Sequence, residues 1–223
     1  MIELSIEKLL EANVQFGHLS KFYNPKNFCF MAFTYNQINI FNLIITLKYL
    51  KLASEYILTS VAEGKTILFV GTKKVARDFI ERFAEKCGMP YVNCRWLGGM
   101  LTNYKTIKQS IQRLHRLQQL STDGTLMKLT KKEGLNLLDE LEHLNLYFCG
   151  IKNMVKLPDI LVVLDVNKEA IAVREANKLG ISVVGVVDSD SSIDGVDYII
   201  PGNDDSIRSI ELYLHILSDS VLK

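Results

Sequence analysis

Residues 95 to 106 read RWLGGMLTNYKT, which sets an arginine, the chain's only tryptophan and two adjacent glycines ahead of a polar run that opens a basic helix. Arg95 and Trp96 present flat groups that can pack on a base, a ribose or each other. Gly98 and Gly99 permit positive φ and close backbone approach. Asn103, Lys105 and Thr106 can meet phosphate or 2′-hydroxyl groups at a helix start, and Tyr104 adds a second ring. Together these residue types suit folded RNA. For Trp96 a second reading stands beside that one, in which the indole is the core of a packed turn.

The other chemistry-bearing groups are less convergent. FVGTKK places a glycine and two lysines, Lys73 and Lys74, where an apolar run gives way to a helix, and amides and the helix dipole there favour an anion. A solvated helix start accounts for the same residues. GKT at 64–66 is not a phosphate loop, because that motif needs another glycine where the chain has Thr59, and GxGxxG is absent. Asp165 and Asp188 end two apolar runs and could hold a metal or do acid–base work outside the strand ends. Aspartates in that position also simply bond the next loop. His18, His115, His143 and His215 pair with no cysteine or serine in a catalytic order. No triad or zinc spacing emerges, and the competing class is a nucleotide- or sugar-phosphate-binding α/β enzyme that uses GTKK for the phosphate and Asp165 or Asp188 for catalysis.

The elements that must position these groups are legible in the hydrophobic pattern. TILFV (66–70), ILVVLD (160–165) and SVVGVV (182–187) are apolar, β-branched runs without alternation, as expected of parallel strands covered on both faces. YVNC (91–94) and DYII (197–200) are expected as further strands. Helical patterns follow, with Thr72, Asn167 and Asn203 as expected N-caps and Gly88 and Gly180 as expected C-terminal residues. Asp204 and Asp205 are expected in the first turn of the last helix, where its dipole favours them. FCFMAF and INIF, joined by TYNQ, predict a small hairpin outside the main sheet. Between Thr102 and Phe148 the pattern is helical throughout, with Ile107, Ile111 and Leu114 on one helix and Leu135, Leu138 and Leu141 on the other, joined by STDGT. This predicts an antiparallel helical hairpin, 102–148, inserted into a body made of 1–101 and 149–223, with residues 1–42 as an N-terminal extension. The first hairpin helix carries Lys105, Lys108, Arg113 and Arg116, and the second carries Asp139, Glu140 and Glu142, so the two should attract. The fold class is α/β, a doubly wound five-stranded parallel sheet with a protruding antiparallel helical hairpin.

Composition bounds the rest. The chain has 223 residues, 48% hydrophobic and 23% charged, ordinary for one large globular domain. The most apolar stretch, from Phe41 to Ala62, is interrupted by Asn42, Lys48 and Lys51, so no membrane span is expected. MIELSIEKLLEA lacks the pattern of a secretory or transit leader. Cys29, Cys87, Cys94 and Cys149 have no CxxC spacing and are expected as free thiols. Net charge is only +1, but from Lys65 to Arg116 there are 11 Lys and Arg against 3 acids, and from Leu157 to Lys223 there are 5 against 12. Such polarisation suggests one face for phosphates and another for solvent or a basic partner.

RWLGGMLTNYKT, GIKNMVKLPDILVVLD and EANKLGISVVGVVDSDSSIDGVDYIIPGNDDSIRSI, together with LLEANVQFGHLSKFYNPKNF and ILFVGTKKVA, resemble the family of the second protein of the small ribosomal subunit, in its bacterial and organellar form. The resemblance runs in order from Leu9 to about Ile210. It implies a Rossmann-like or flavodoxin-like body with a helical arm, no catalysis, no cofactor or metal, and no small-molecule or membrane partner. The partners it implies are small-subunit rRNA and other small-subunit proteins, including the first protein of that subunit. Carried over by motif, the RNA-facing set is Gly17 and His18 in FGH, Asn24, Pro25 and Lys26 in NPK, Lys73 and Lys74 in GTKK, and Arg95 through Thr106, joined by Lys108, Arg113 and Arg116 of the basic helix. The chain departs from the family at 192–194, where it reads SID in place of DPD, and at Tyr104, where relatives often have tryptophan. The short C-terminus and the wealth of Asn, Ile, Tyr and Lys resemble an AT-rich plastid genome's product, with a bacterial cytoplasm as the alternative.

Overall fold

The computed structural model describes residues 4–123 and 130–223. A short helix, α1 (Ile6–Glu11), capped by the Ser5 hydroxyl, leads into a three-stranded antiparallel sheet of β1 (Phe16–Leu19), β2 (Met31–Tyr35) and β3 (Ile38–Phe41), in the order β1-β3-β2. The TYNQ hairpin turns through Asn36 and Gln37, both at positive φ, which matches the right-handed twist of the flanking strands. Only the MAF part of FCFMAF is strand; Phe28–Phe30 belongs to a 3-10 turn that Asn24 caps by accepting from Lys26 N–H. The long helix α2 (Leu43–Ala62) follows, capped by Asn42.

The main sheet is built from β4 (Ile67–Val70), α3 (Arg77–Cys87), β5 (Tyr91–Val92), the helix pair α4 (Tyr104–Thr122) and α5 (Lys131–Phe148), β6 (Ile160–Leu164), α6 (Ala170–Leu179), β7 (Ser182–Val187), β8 (Tyr198–Pro201) and α7 (Ile207–Val221). Its order is β5-β4-β6-β7-β8 and every neighbouring pair is parallel. Numbered along the sheet's own strands this is 2-1-3-4-5, a doubly wound order whose direction reverses between β4 and β6. The unbroken apolar runs serve two cores. Ile67, Phe69, Ile160 and Val162 face the core closed by α2, α3 and α7. Leu68, Val70, Leu161 and Val163 face a second core with α6, the base of α4 and the loop after β5. A side chain so buried contributes roughly 1.5–3 kcal/mol, which makes these strands rigid mounts for what their ends carry.

Several local expectations give way. Gly88 and Gly180 do end α3 and α6 in the left-handed conformation. Thr72 and Asn167, however, are not N-caps, since α3 is preceded by Ala76 and α6 by Glu169. Thr72 instead donates its N–H and hydroxyl to Glu169, 97 residues away. Asn203 receives N–H bonds from Asp205 and Ser206, so it closes the turn ahead of α7 and is not the cap residue, which is Ser206. Asp204 and Asp205 therefore lie outside the first turn of α7. In the helix pair Ile107, Ile111 and Leu114 are buried and Leu141 packs against the core as expected, but Leu135 and Leu138 are exposed, and Leu144 and Tyr147 pack in their place. Arg113 and Glu140 form the expected attraction as a two-bond pair at 2.9 and 2.8 Å. Of STDGT, Ser121 and Thr122 end α4, Asp123 is its C-cap, and Gly124–Thr125 lie outside the described residues. Among the described residues no helix is long and apolar enough to cross a membrane.

Candidate nucleic-acid interface

The stretch after β5 is shaped by one carboxylate. Glu175 projects from the buried face of α6, beside Ala172 and Ala176, and accepts five bonds: Trp96 Nε1 at 3.2 Å, Gly99 N at 2.7 Å, Leu101 N at 3.0 Å, and Thr102 N and Oγ1 both at 3.0 Å. Burial alone would push this carboxyl up, but the donors outweigh it and hold it below the usual carboxylate range. Trp96 is thereby buried, which settles the two readings of the indole in favour of the packed turn and removes it as a stacking surface. Gly99 has φ +90°, and a Cβ there would come 3.2 Å from that of Asn103, so this glycine meets a backbone need; Gly98 lies in open space.

What the loop presents outward is cationic and polar. Arg95, Asn103, Lys105, Thr106 and Lys108 are exposed, as is Arg116 two turns further along α4. Helical spacing puts Lys105, Lys108 and Arg116 on one side of α4, opposite the buried Ile107, Ile111 and Leu114. Arg113 flanks this stripe and is held by Glu140. Tyr104 is half-buried, its hydroxyl donating to Met154 O, so it is a packing residue. Asn103 receives the Thr106 hydroxyl at 3.0 Å and makes no capping bond to the backbone. Arg77 ties α3 to this region by donating to Cys94 O.

The remaining expected residues gather elsewhere, at the C-terminal ends of β6, β7 and β8. Lys73 reaches Asp165 at 3.0 Å, Asp204 at 2.6 Å and Asp205 at 2.8 Å. Burial would lower its pKa, but the carboxylates more than offset this and raise it. Asp204 is itself pushed up to about 8 by burial and by Asp165 and Asp188, against the pull of Lys73. His18, from β1, sits 3.2 Å from Asp188 and 3.3 Å from Asp205, and its bond to Asp188 raises it to about 9. Asp165 takes a left-handed φ of 68° and also accepts from Lys168 N–H, while Asp188 accepts from Ser189 and Asp204 N–H, so both do bond the loops that follow them. Asn24 donates to Ser191 O, and Lys26 pairs with Asp194 in the SID turn. Gly17 passes so close to this crest that a Cβ would meet Ser189 Oγ at 2.8 Å. Only Lys74 of this group is exposed with no carboxylate at salt-bridge distance among the described residues. His18, Asp188 and Asp190 bring ligand-capable atoms within 4.8 Å of one another, a spacing that could hold a divalent cation.

Two groups central to this arrangement escape a reading of sequence. Asn27, fully buried, donates to the carbonyls of Asp188, Ser189 and Ser191 and clamps the N-terminal segment to the sheet. Glu175 left one signal, a carboxylate on the apolar stripe of an amphipathic helix, which demands a buried partner.

The chain is 51% identical over 222 residues, all of this chain and 88% of the relative, to the small ribosomal subunit protein uS2 of Hahella chejuensis. It is 50% identical to that of Marinobacter nauticus, over all of this chain and 89% of the relative, and 49% identical to that of Dichelobacter nodosus, over 99% and 83%. The model of the family described as Ribosomal protein S2 matches residues 9–223, and the chain belongs to that family.

Proposed function

We propose that the protein is a structural, non-catalytic constituent of the small ribosomal subunit that grips small-subunit rRNA through the exposed edge formed by Arg95, Asn103, Lys105, Thr106, Lys108 and Arg116, with Lys74 as an outlying contact. The observation that carries this reading is that these cations stand in solvent without ion-pair partners among the described residues, on a loop and helix fixed to a two-core sheet. His18, Asn24, Lys26 and Lys73 serve this function indirectly, by holding the N-terminal extension and the acidic crest in place, and Trp96 and Gly99 by shaping the loop. The hairpin 102–148 acts as an arm on the body formed by 1–101 and 149–223. Other small-subunit proteins are its protein partners, and its first protein is the one we assign to the acidic half of the chain. The bacterial relatives support a bacterial cytoplasm; the Asn, Ile, Tyr and Lys content supports a plastid as the second reading.

Replacing Arg95 and Lys105 with alanine tests the interface. Each lost phosphate contact lowers the salt slope of binding by about 0.7–0.9, so the double variant should lose about 1.5 and incorporate poorly into subunits. Wild-type incorporation with an unchanged slope defeats the proposal.

A further inference from the structure

We infer that Glu175 is the positioning residue of the RNA-gripping loop, an internal anion around which residues 96–102 are cast; this rests on the function proposed above. The backbone N–H groups of Gly99, Leu101 and Thr102 converge on its carboxylate together with the Thr102 hydroxyl and the Trp96 indole. Converging amides of this kind form a nest for an anion. A loop carrying such a nest beside Arg95 and Lys105 would be expected to receive a phosphate in it. Here the anion comes from α6 of the same chain, and Glu175 is only 8% exposed.

Two consequences follow. The amides of Gly99, Leu101 and Thr102 are already satisfied and are not RNA contacts, so phosphates meet the side chains that the nest leaves pointing outward. The placement of Arg95 at one end of the nest and of Asn103 and Lys105 at the other depends on a carboxylate that lies 70 or more positions further along the chain and need not touch RNA. No substitute fits well. Glutamine keeps the length of the side chain but turns an NH2 group toward N–H donors, and aspartate is too short to reach both Gly99 and Thr102.

A merely stabilising residue and a positioning residue differ in how their effects combine with those of the groups they place. Binding of the full chain to small-subunit rRNA would be measured over a range of salt for wild type, E175Q, the R95A/K105A variant and the triple variant. E175Q is expected to lose roughly tenfold in affinity and to show the reduced salt slope of R95A/K105A, and the triple variant to bind no more weakly than R95A/K105A, because the same contacts are lost once. Wild-type affinity for E175Q, or losses that multiply in the triple variant, overturn the inference. Should E175Q fail to fold, E175A decides. Formate should refill the nest and restore binding where chloride at equal ionic strength does not, and a failure of formate to restore it counts against Glu175. Wild-type binding by R95A/K105A would instead sink the RNA reading of the loop itself.

Discussion

Lys73→Met removes the ammonium group that pairs with Asp165, Asp204 and Asp205 at 3.0, 2.6 and 2.8 Å. Asp165 and Asp204 are 6% and 2% exposed, so they have little water to turn to. Taking one partner from a buried ion pair costs about 3–5 kcal/mol, and the solvent that reaches Asp205 argues for the lower end, about 3 kcal/mol. The loss must depend on pH. Asp204 carries a folded pKa of about 8 against an ordinary 3.8, so between those values the folded state holds a proton that the unfolded chain has released, and stability falls as pH rises through that window. His18, raised from 6.5 to about 9 by Asp188, contributes stability that is complete below 6.5 and lost by about 9, the same direction. Wild-type stability in chelator should therefore decline between about pH 5 and pH 9. In the variant Asp204 loses the downward pull of Lys73 and holds its proton to higher pH, so the deficit at about pH 5, which comes from the other two contacts, should grow at about pH 9, above the wild-type value for Asp204. Urea denaturation at both pH values measures this, and D204N in the K73M background should recover much of the loss. A deficit that is the same at both pH values, or no deficit at all, refutes the assignment of Lys73 to this network.

Two other substitutions probe the body. The Tyr213 hydroxyl is fully buried without a hydrogen-bond partner among the described residues, in a field from Asp188 and Asp204 that, after burial itself, pushes it well up; Tyr213→Phe should raise stability by about 1 kcal/mol, read as a higher Tm. In Gly150→Ala the new Cβ would meet Tyr91 O at 2.2 Å, and since that atom is backbone the variant should lose about 3 kcal/mol in the same assay.

Much of this fold was legible because short, β-branched apolar runs bounded by turn residues read as parallel strands buried on both faces. SVVGVV is a strand from its first residue to its last, and the all-helical stretch after Thr102 could only be a helix pair. The failures have separate causes. Thr72 has the right residue type for a cap, but Glu169 claims it from a distance, and Asn167 lies two residues ahead of the cap position of α6, which Glu169 takes. β1 shows no alternation, since its burial runs exposed, intermediate, intermediate, exposed, and it is a strand only because β3 pairs with it. At the site, counting charges located the basic segment but could not show how they pair. Lys73 and Arg113 carry the same formal charge as Lys105 and Arg116, yet carboxylates hold the first two and solvent surrounds the others.

That pairing also decides between the two function classes open at the outset. In a 2-1-3-4-5 sheet a nucleotide or sugar phosphate would bind outside the strand ends where β4 and β6 diverge, and a cleft of about 340 Å³ does lie there. Its walls include Asp165, Asp190, Asp204 and Asp205, against which stand Lys73, Lys168 and His18. Lys73 and His18 are already bonded to those acids, and a phosphate entering would have to displace carboxylates from Lys73 and leave them buried and unpaired. An anion-binding enzyme would place its acids elsewhere. The crest instead pins the N-terminal sheet, through His18 and Asn27, across the end of the crevice, so the geometry that serves catalysis in other doubly wound sheets serves attachment in this one.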